Sequence, residues 1–282
     1  MSYSQFDFTR ISPFTGAEIA GVDLSKPLSS PLAEELNRAV ADFGVLVFRG
    51  QSLTPEQHIA LARQLGEINV NRFFRPVDGY PEIAEVRKEP EQTINIGGIW
   101  HTDHSYDQSP AKGSLLYARE LPPVGGDTLF SSMYAVYDSL SDGLKATLEG
   151  LKAIHSSGHV FGYTSKAVTD PDLKGRLLNP DLATQDALHP VVITHPENGG
   201  KALYVNPNFT LRFDGWTEAE SKPLLDYLYA QAVRPEFIAR LQWQPGTLAY
   251  WDNRSTWHLA LNNYAGHRRL LHRITLDGGP LH

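Results

Sequence analysis

Trp100-His101-Thr102-Asp103 sets an imidazole and a carboxylate two positions apart. In an extended segment, residues i and i+2 project from the same face, so both side chains can reach one ion. The third donor must come from far along the chain. His258 is the candidate, because it follows the strand-like run Thr247 to Trp251 and the turn-like Asp252-Asn253-Arg254-Ser255. Two imidazoles and one carboxylate on one face of an octahedron leave positions open for substrate and oxygen, the pattern of non-haem ferrous oxygenases. The same donors around zinc would serve a hydrolase. The His-x-Asp pair alone weighs evenly against a structural role.

A second pair of residues sharpens the choice. Arg268 to Leu276 reads as a strand fed by the turn Asn263-Tyr264-Ala265-Gly266, and period two places Arg269, Leu271 and Arg273 on one face. At ~3.3 Å per residue the two arginines stand about 13 Å apart. If that face looks into a barrel, two guanidinium groups lie where unpaired charge is costly, and anions must meet them. A dicarboxylate and an acidic substrate would suit their planar forks. If it faces solvent, they are surface cations.

Composition narrows the chemistry further. The 282 residues include no cysteine, which excludes disulfides, thiolate nucleophiles and Cys-ligated metal centres, and leaves histidines and carboxylates as ligands. A net charge of −7 without a basic stripe argues against nucleic acid. No run approaches the ~20 apolar residues of a membrane span. Residues 1–9 lack the basic-then-apolar pattern of a secretory signal, so the expected address is the cytoplasm.

The elements that must position these residues are mainly β with flanking helices. Pro31 to Phe43 predicts a helix with Leu32, Leu36, Ala39, Val40 and Phe43 on one face, ended by Gly44 before the apolar run Val45 to Phe48. Thr54-Pro55-Glu56-Gln57 is a capping box for a second helix ending at Gly66, and Thr217 to Glu220 opens a third that runs towards Pro235. Strand-like runs fall at Ser114 to Tyr117, Thr128 to Phe130, Val191 to Thr194, Ala202 to Val205, Thr247 to Trp251 and Leu270 to Leu276. They predict an antiparallel barrel or sandwich. No linker divides residues 1–282, which are expected to form a single domain with lid or insert loops near residues 67–99 and 155–189.

His101-Thr102-Asp103, Gly125-Gly126-Asp127-Thr128-Leu129-Phe130, Trp251-Asp252-Asn253-Arg254, His258, Arg269 and Arg273 together resemble the taurine dioxygenase and 2,4-dichlorophenoxyacetate dioxygenase family. The resemblance runs from Gly21-Val22-Asp23-Leu24 to Arg273. It implies a double-stranded β-helix (jelly-roll, cupin-like) core and Fe(II) held by His101, Asp103 and His258. It further implies 2-oxoglutarate and O2 as cosubstrates, with Arg269 and Thr128 on the far carboxylate of the keto-diacid. Arg273 would meet the anionic group of a small organic substrate, with the backbone N–H of His104 nearby. The implied reaction is hydroxylation, releasing succinate and CO2, since Asp103 occupies the position that a small residue takes in related halogenases; desaturation stays open.

Asn71 and Gly97 stand where the taurine enzyme has a histidine and an asparagine, and Phe74 where it has a tyrosine. These departures disfavour taurine and favour a bulkier or more apolar acid. Arg72, Arg75 and Tyr106 are further candidates for pocket or lid contacts. Relatives commonly form homo-oligomers, dimers or tetramers. A zinc-dependent hydrolase and a non-catalytic jelly-roll binding protein are the alternatives. Among the other histidines, His58 is expected to be partly exposed on its helix, His104 to line the pocket, and His155 to lie near the site in a structural role. Asp252 and Arg254 are expected to form an ion pair.

Overall fold

The computed structural model describes residues 3–282. Ser29 caps the first long helix, Ser30–Phe43, and Gly44 ends it with φ 74°. A Cβ on Gly44 would come within 2.9 Å of the Thr15 and Thr256 hydroxyls, so only glycine lets the chain turn there. The turn feeds Val45–Phe48, a strand buried along its whole length. Thr54 and Gln57 close the capping box of the second helix, Pro55–Leu65. Both helices cover one face of a nine-stranded sheet.

Alternation then decides which side chain faces which layer. Leu46, Phe48, Leu115, Tyr117, Leu248, Tyr250 and Ile274 pack outward against Leu36, Val40, Phe43, Ile59 and Leu65 of the two helices. Val45, Val47, Leu116, Ala118, Ala249, Trp251 and Leu271 point the other way. There they meet Phe130, Leu241 and Trp243, which belong to or follow a three-stranded sheet of Ile238–Leu241, Thr128–Ser132 and Thr256–Ala260. Two sheets facing each other across that interior, antiparallel except where Ala17–Ala20 runs parallel to Val45–Phe48, form the jelly-roll core. The helices Met133–Ser139, Asp142–Glu149 and Glu218–Ala232 pack a second apolar cluster behind the small sheet.

Two expectations need correction. Residues 67–99 are not simply a loop, because Tyr80–Lys88 is a nine-residue strand hydrogen-bonded to Arg269–Arg273. Its sequence, Tyr-Pro-Glu-Ile-Ala-Glu-Val-Arg-Lys, hides the strand because only the two-residue strand Pro76–Val77 flanks it on its outer side, and so lightly paired a position tolerates proline and charge. Residues 155–189 likewise begin and end in strand: Lys152–Ser156 pairs antiparallel with Asp186–Pro190. The excursion between them carries short helices. Among the described residues no helix is long and apolar enough to cross a membrane.

Candidate metal centre

Thr256–Ala260 ends the small sheet, and His258 exchanges backbone hydrogen bonds with His101: His101 N–H to the His258 carbonyl at 3.1 Å, and the reverse at 2.8 Å. This isolated antiparallel bridge sets the two imidazoles side by side, with ring centroids 4.1 Å apart. Asp103, two residues along, brings Oδ1 to 3.6 Å from His101 Nε2 and 3.9 Å from His258 Nε2. One donor atom from each of the three lies within 4.8 Å of the others, and all three residues are buried.

Protonation in the site follows from contacts. His101 Nδ1–H donates to the Ile99 carbonyl at 2.7 Å, which leaves the Nε2 lone pair facing the other donors. Burial, with the neighbouring His101, holds His258 well below the ordinary imidazole range, so it is neutral and able to ligate. For Asp103 burial opposes ionisation, but the Arg273 guanidinium and the two imidazoles outweigh it and keep the carboxyl well below its usual range. Arg273 Nη1 donates to both Asp103 oxygens at 3.1 Å and its guanidinium lies 4.3 Å from the Phe74 ring centre. The chemistry of this donor set, two imidazoles and one ionised carboxylate, fits a divalent ion with open positions.

The three donors open into a cavity of about 680 Å³ whose wall also includes Thr128, Arg269, Arg273, Phe74 and Gly97. Arg269 is 3% exposed. Its Nε donates to the Gly126 carbonyl at 3.0 Å, its Nη2 has no partner, and among the described residues no carboxylate pairs with it in an ion pair. Burial draws its pKa down to about 10. The guanidinium instead lies near the rings of Trp243 and Tyr264. Gly126, at φ 71°, makes this approach possible: a Cβ there would stand 3.1 Å from Arg269 Cδ. Thr128 Oγ1 accepts from Trp243 Nε1 at 3.0 Å, which leaves its own hydrogen for the cavity.

Asn71 and His104 do not line this cavity, contrary to the sequence expectation. Asn71 Oδ1 is taken up by the backbone N–H groups of Phe73 and Phe74 at 2.9 and 3.1 Å, which turns the side chain away from the interior. Its amide contacts His104 Nε2 at 3.1 Å, and His104 Nδ1 meets Asp107 Oδ2 at 2.9 Å. Arg72 donates to Asp107 as well, at 2.6 Å. These residues buttress the wall from behind, while Phe74 and Tyr106 face the cavity. His58 is 1% exposed rather than partly exposed, because the outer face of the main sheet covers it. Asp252 is paired with Arg254 at 2.6 Å and with His195 at 3.0 Å, which braces the turn before His258. Ser114, whose hydroxyl donates to Asp103 Oδ2 at 3.2 Å, had no signal beyond its place in an apolar strand.

A jelly-roll sandwich with a His–Asp–His cluster and an unpaired arginine in one cavity defines a class of metal-dependent oxidoreductases. The chain belongs to the taurine catabolism dioxygenase TauD, TfdA family, whose model matches residues 7–275. It is 34% identical over 276 residues to an alkylsulfatase of Acinetobacter baylyi, covering 97% of this chain and 86% of that one. To the alpha-ketoglutarate-dependent 2,4-dichlorophenoxyacetate dioxygenase of Cupriavidus pinatubonensis it is 34% identical over 284 residues, covering 94% and 95%. The crystal structure of a taurine dioxygenase from Burkholderia xenovorans superposes with TM-score 0.82 and 33% identity over 99% of this chain and 93% of that one. The protein is an alpha-ketoglutarate-dependent dioxygenase, an oxidoreductase that uses O2; the hydrolase and the non-catalytic readings find no support there.

Proposed function

We propose that the chain acts as one catalytic domain that hydroxylates a small organic anion with a bulky apolar portion. Fe(II) is held by His101, Asp103 and His258, and 2-oxoglutarate by Arg269 and Thr128. The bound iron, with O2 and 2-oxoglutarate, supplies an oxidative decarboxylation that yields succinate and CO2 and puts one oxygen atom into a substrate C–H bond. The residues of the chain bind, orient and exclude water.

Arg269 carries the reading. A guanidinium buried in the cavity of the metal ligands, with Nη2 unpartnered, is stabilised when an anion of matching shape completes it. Thr128 offers a hydroxyl to the same carboxylate. Arg273 receives the substrate anion at the opposite end of its strand face, through the part of its fork that Asp103 leaves free. Phe74, Leu116, Phe161 and Phe209 give the remaining cavity an apolar lining, which suits an alkyl or aryl body better than the small zwitterion taurine. Gly97 leaves room beside His101 where a larger side chain would stand. Alkyl sulfates, alkyl sulfonates and aryloxyalkanoates share the required chemistry, an anionic head on an apolar body.

Succinate release with Fe(II), ascorbate and 2-oxoglutarate, screened across those three classes, tests the proposal. At least one class should raise succinate well above the substrate-free rate, and Asp103→Ala should abolish the increase. Succinate release that no acid stimulates, or an unaffected Asp103→Ala variant, refutes it.

A further inference from the structure

Arg273 touches both oxygens of Asp103 at the same distance, 3.1 Å, and so does not decide which of them faces the metal position. We propose that Trp251, Asn253 and Ser114 form a directional hydrogen-bond chain that makes this choice. It restrains the outer oxygen and keeps Asp103 a one-oxygen ligand. The inference rests on reading His101, Asp103 and His258 as the metal centre.

The polarity of the chain follows from its first member. An indole N–H can only donate, and Trp251 Nε1 lies 2.8 Å from Asn253 Oδ1. That contact fixes the amide orientation and turns Asn253 Nδ2 towards Ser114 Oγ, 3.4 Å away. Ser114 accepts from the amide, so its own hydrogen goes to the remaining partner, Asp103 Oδ2 at 3.2 Å. Oδ1 is left facing the two histidines. Trp251, Asn253 and Ser114 are each 1% exposed or less, so bulk water does not compete for these bonds.

The scaffold holds the chain in place. Ser114 and Trp251 lie opposite one another in the antiparallel register of Gly113–Glu120 and Leu248–Asp252. Thr102, the neighbour of Asp103, donates its hydroxyl to the Asn253 carbonyl, which ties the ligand segment to the residue that orients it. A carboxylate without this restraint can rotate to chelate through both oxygens. It would then occupy one of the positions that cosubstrate and oxygen need. Ser114 is therefore a positioning residue, and Trp251 acts through Asn253 and Ser114.

Mn(II) binding to the whole protein, without cosubstrate or turnover, is the test. In Ser114→Ala the Mn(II) Kd should rise on the order of tenfold or more, as for other partners of metal ligands. Water relaxivity at the bound ion should fall by about one third, as two of three open positions remain hydrated. Trp251→Phe, which removes the N–H and keeps an aromatic ring, should shift both quantities in the same direction by a smaller amount, about threefold in Kd. Ser114→Thr, which keeps a hydroxyl, should restore the relaxivity. Wild-type Kd (within twofold) and relaxivity in Ser114→Ala overturn the inference; should that variant fail to fold, the same result in Trp251→Phe overturns it. If the wild-type protein itself binds no Mn(II), the metal-centre reading fails and the inference falls with it.

Discussion

Arg269→Met should separate folding stability from cosubstrate binding. Burial draws the Arg269 guanidinium from the ordinary 12.5 to about 10, a penalty of about 3 kcal/mol in the protein without cosubstrate. Methionine keeps the aliphatic stem near Trp243 and Tyr264 but loses the bond to the Gly126 carbonyl, which contributes about 1.5–3 kcal/mol for a charged donor. The two nearly offset, so the variant without cosubstrate should be as stable as the wild type, or more stable by about 1 kcal/mol. Cosubstrate binding should respond very differently. Removing one member of a buried charged pair costs about 2–5 kcal/mol, which weakens 2-oxoglutarate binding on the order of 30-fold to several thousand-fold. Urea unfolding followed by tryptophan fluorescence, with Mn(II) and with or without 2-oxoglutarate, reads both quantities, because a ligand bound only to the folded state raises stability by RT ln(1 + [L]/Kd). The 2-oxoglutarate-dependent rise in midpoint should disappear in the variant. A loss above about 2 kcal/mol without cosubstrate, combined with a 2-oxoglutarate affinity within about threefold of wild type, would make Arg269 a structural cation and remove the main support for the proposed function.

Arg273→Ala should raise the KM for the acidic substrate at least tenfold and change the cosubstrate KM by less than about threefold; steady-state succinate release decides, and the opposite pattern assigns the two arginines in reverse. Gly126→Ala puts a Cβ 3.1 Å from Arg269 Cδ at a φ of 71°, so about 1–3 kcal/mol of stability should be lost to backbone strain. The cosubstrate KM should rise in the same variant, and an unchanged value would mean that Arg269 accommodates the methyl group. His58, both of whose ring nitrogens lack partners, is held by burial at about 3 against the usual 6.5. Between those values the unfolded chain binds a proton that the folded chain refuses, so its contribution to stability falls as pH drops below 6.5. The slope is about 1.4 kcal/mol per pH unit. His58→Leu removes it, and the stability of the variant relative to wild type should grow by about 1.4 kcal/mol between pH 7.5 and 5.5 in urea titrations. A constant difference would show that His58 titrates normally.

Much of the site could be read from spacing because His258, Arg269 and Arg273 sit on strands and His101 on a β-bridge, with Asp103 opening the turn that follows. Period two is enough to put His101 with Asp103, and Arg269 with Arg273, on shared faces. His258 required a long-range pairing, its bridge to His101, that no local pattern encodes. Asn71 and His104 show the opposite limit. Position in a motif places a Cα, whereas the direction of a short polar side chain depends on which backbone groups claim it, and Asn71 is claimed by the Phe73 and Phe74 N–H groups. Ser114 was illegible for a related reason: a serine in a buried strand reads as a tolerated small residue until its partner across the core is known. Among the elements, the three helices opened by Ser29, Thr54 and Thr217 emerged with nearly their full lengths, whereas the shorter Met133–Ser139 and Asp142–Glu149 did not. Tyr80–Lys88 did not, since its buried residues, Ile83 on one face and Lys88 on the other, mix apolar and charged types.

The charges around the cavity favour binding of the metal first, then the dicarboxylate, then the substrate anion. Asp103, Arg269 and Arg273 leave one net positive charge among the buried groups that line it, since Lys166 at the rim is exposed to water. A divalent ion on the two histidines and Asp103 would raise that excess to three, which a low-dielectric interior tolerates poorly. A dicarboxylate on Arg269 removes two of the three, and a monoanionic substrate on Arg273 removes the last. Each arrival thus makes the next binding step less dependent on the ion alone. A neutral substrate analogue with the same apolar body would leave the final charge standing, and it should bind less well than the anion even where its fit to Phe74, Phe161 and Phe209 is identical. The preference should weaken in Arg273→Ala, because the charge to be neutralised has gone with the side chain.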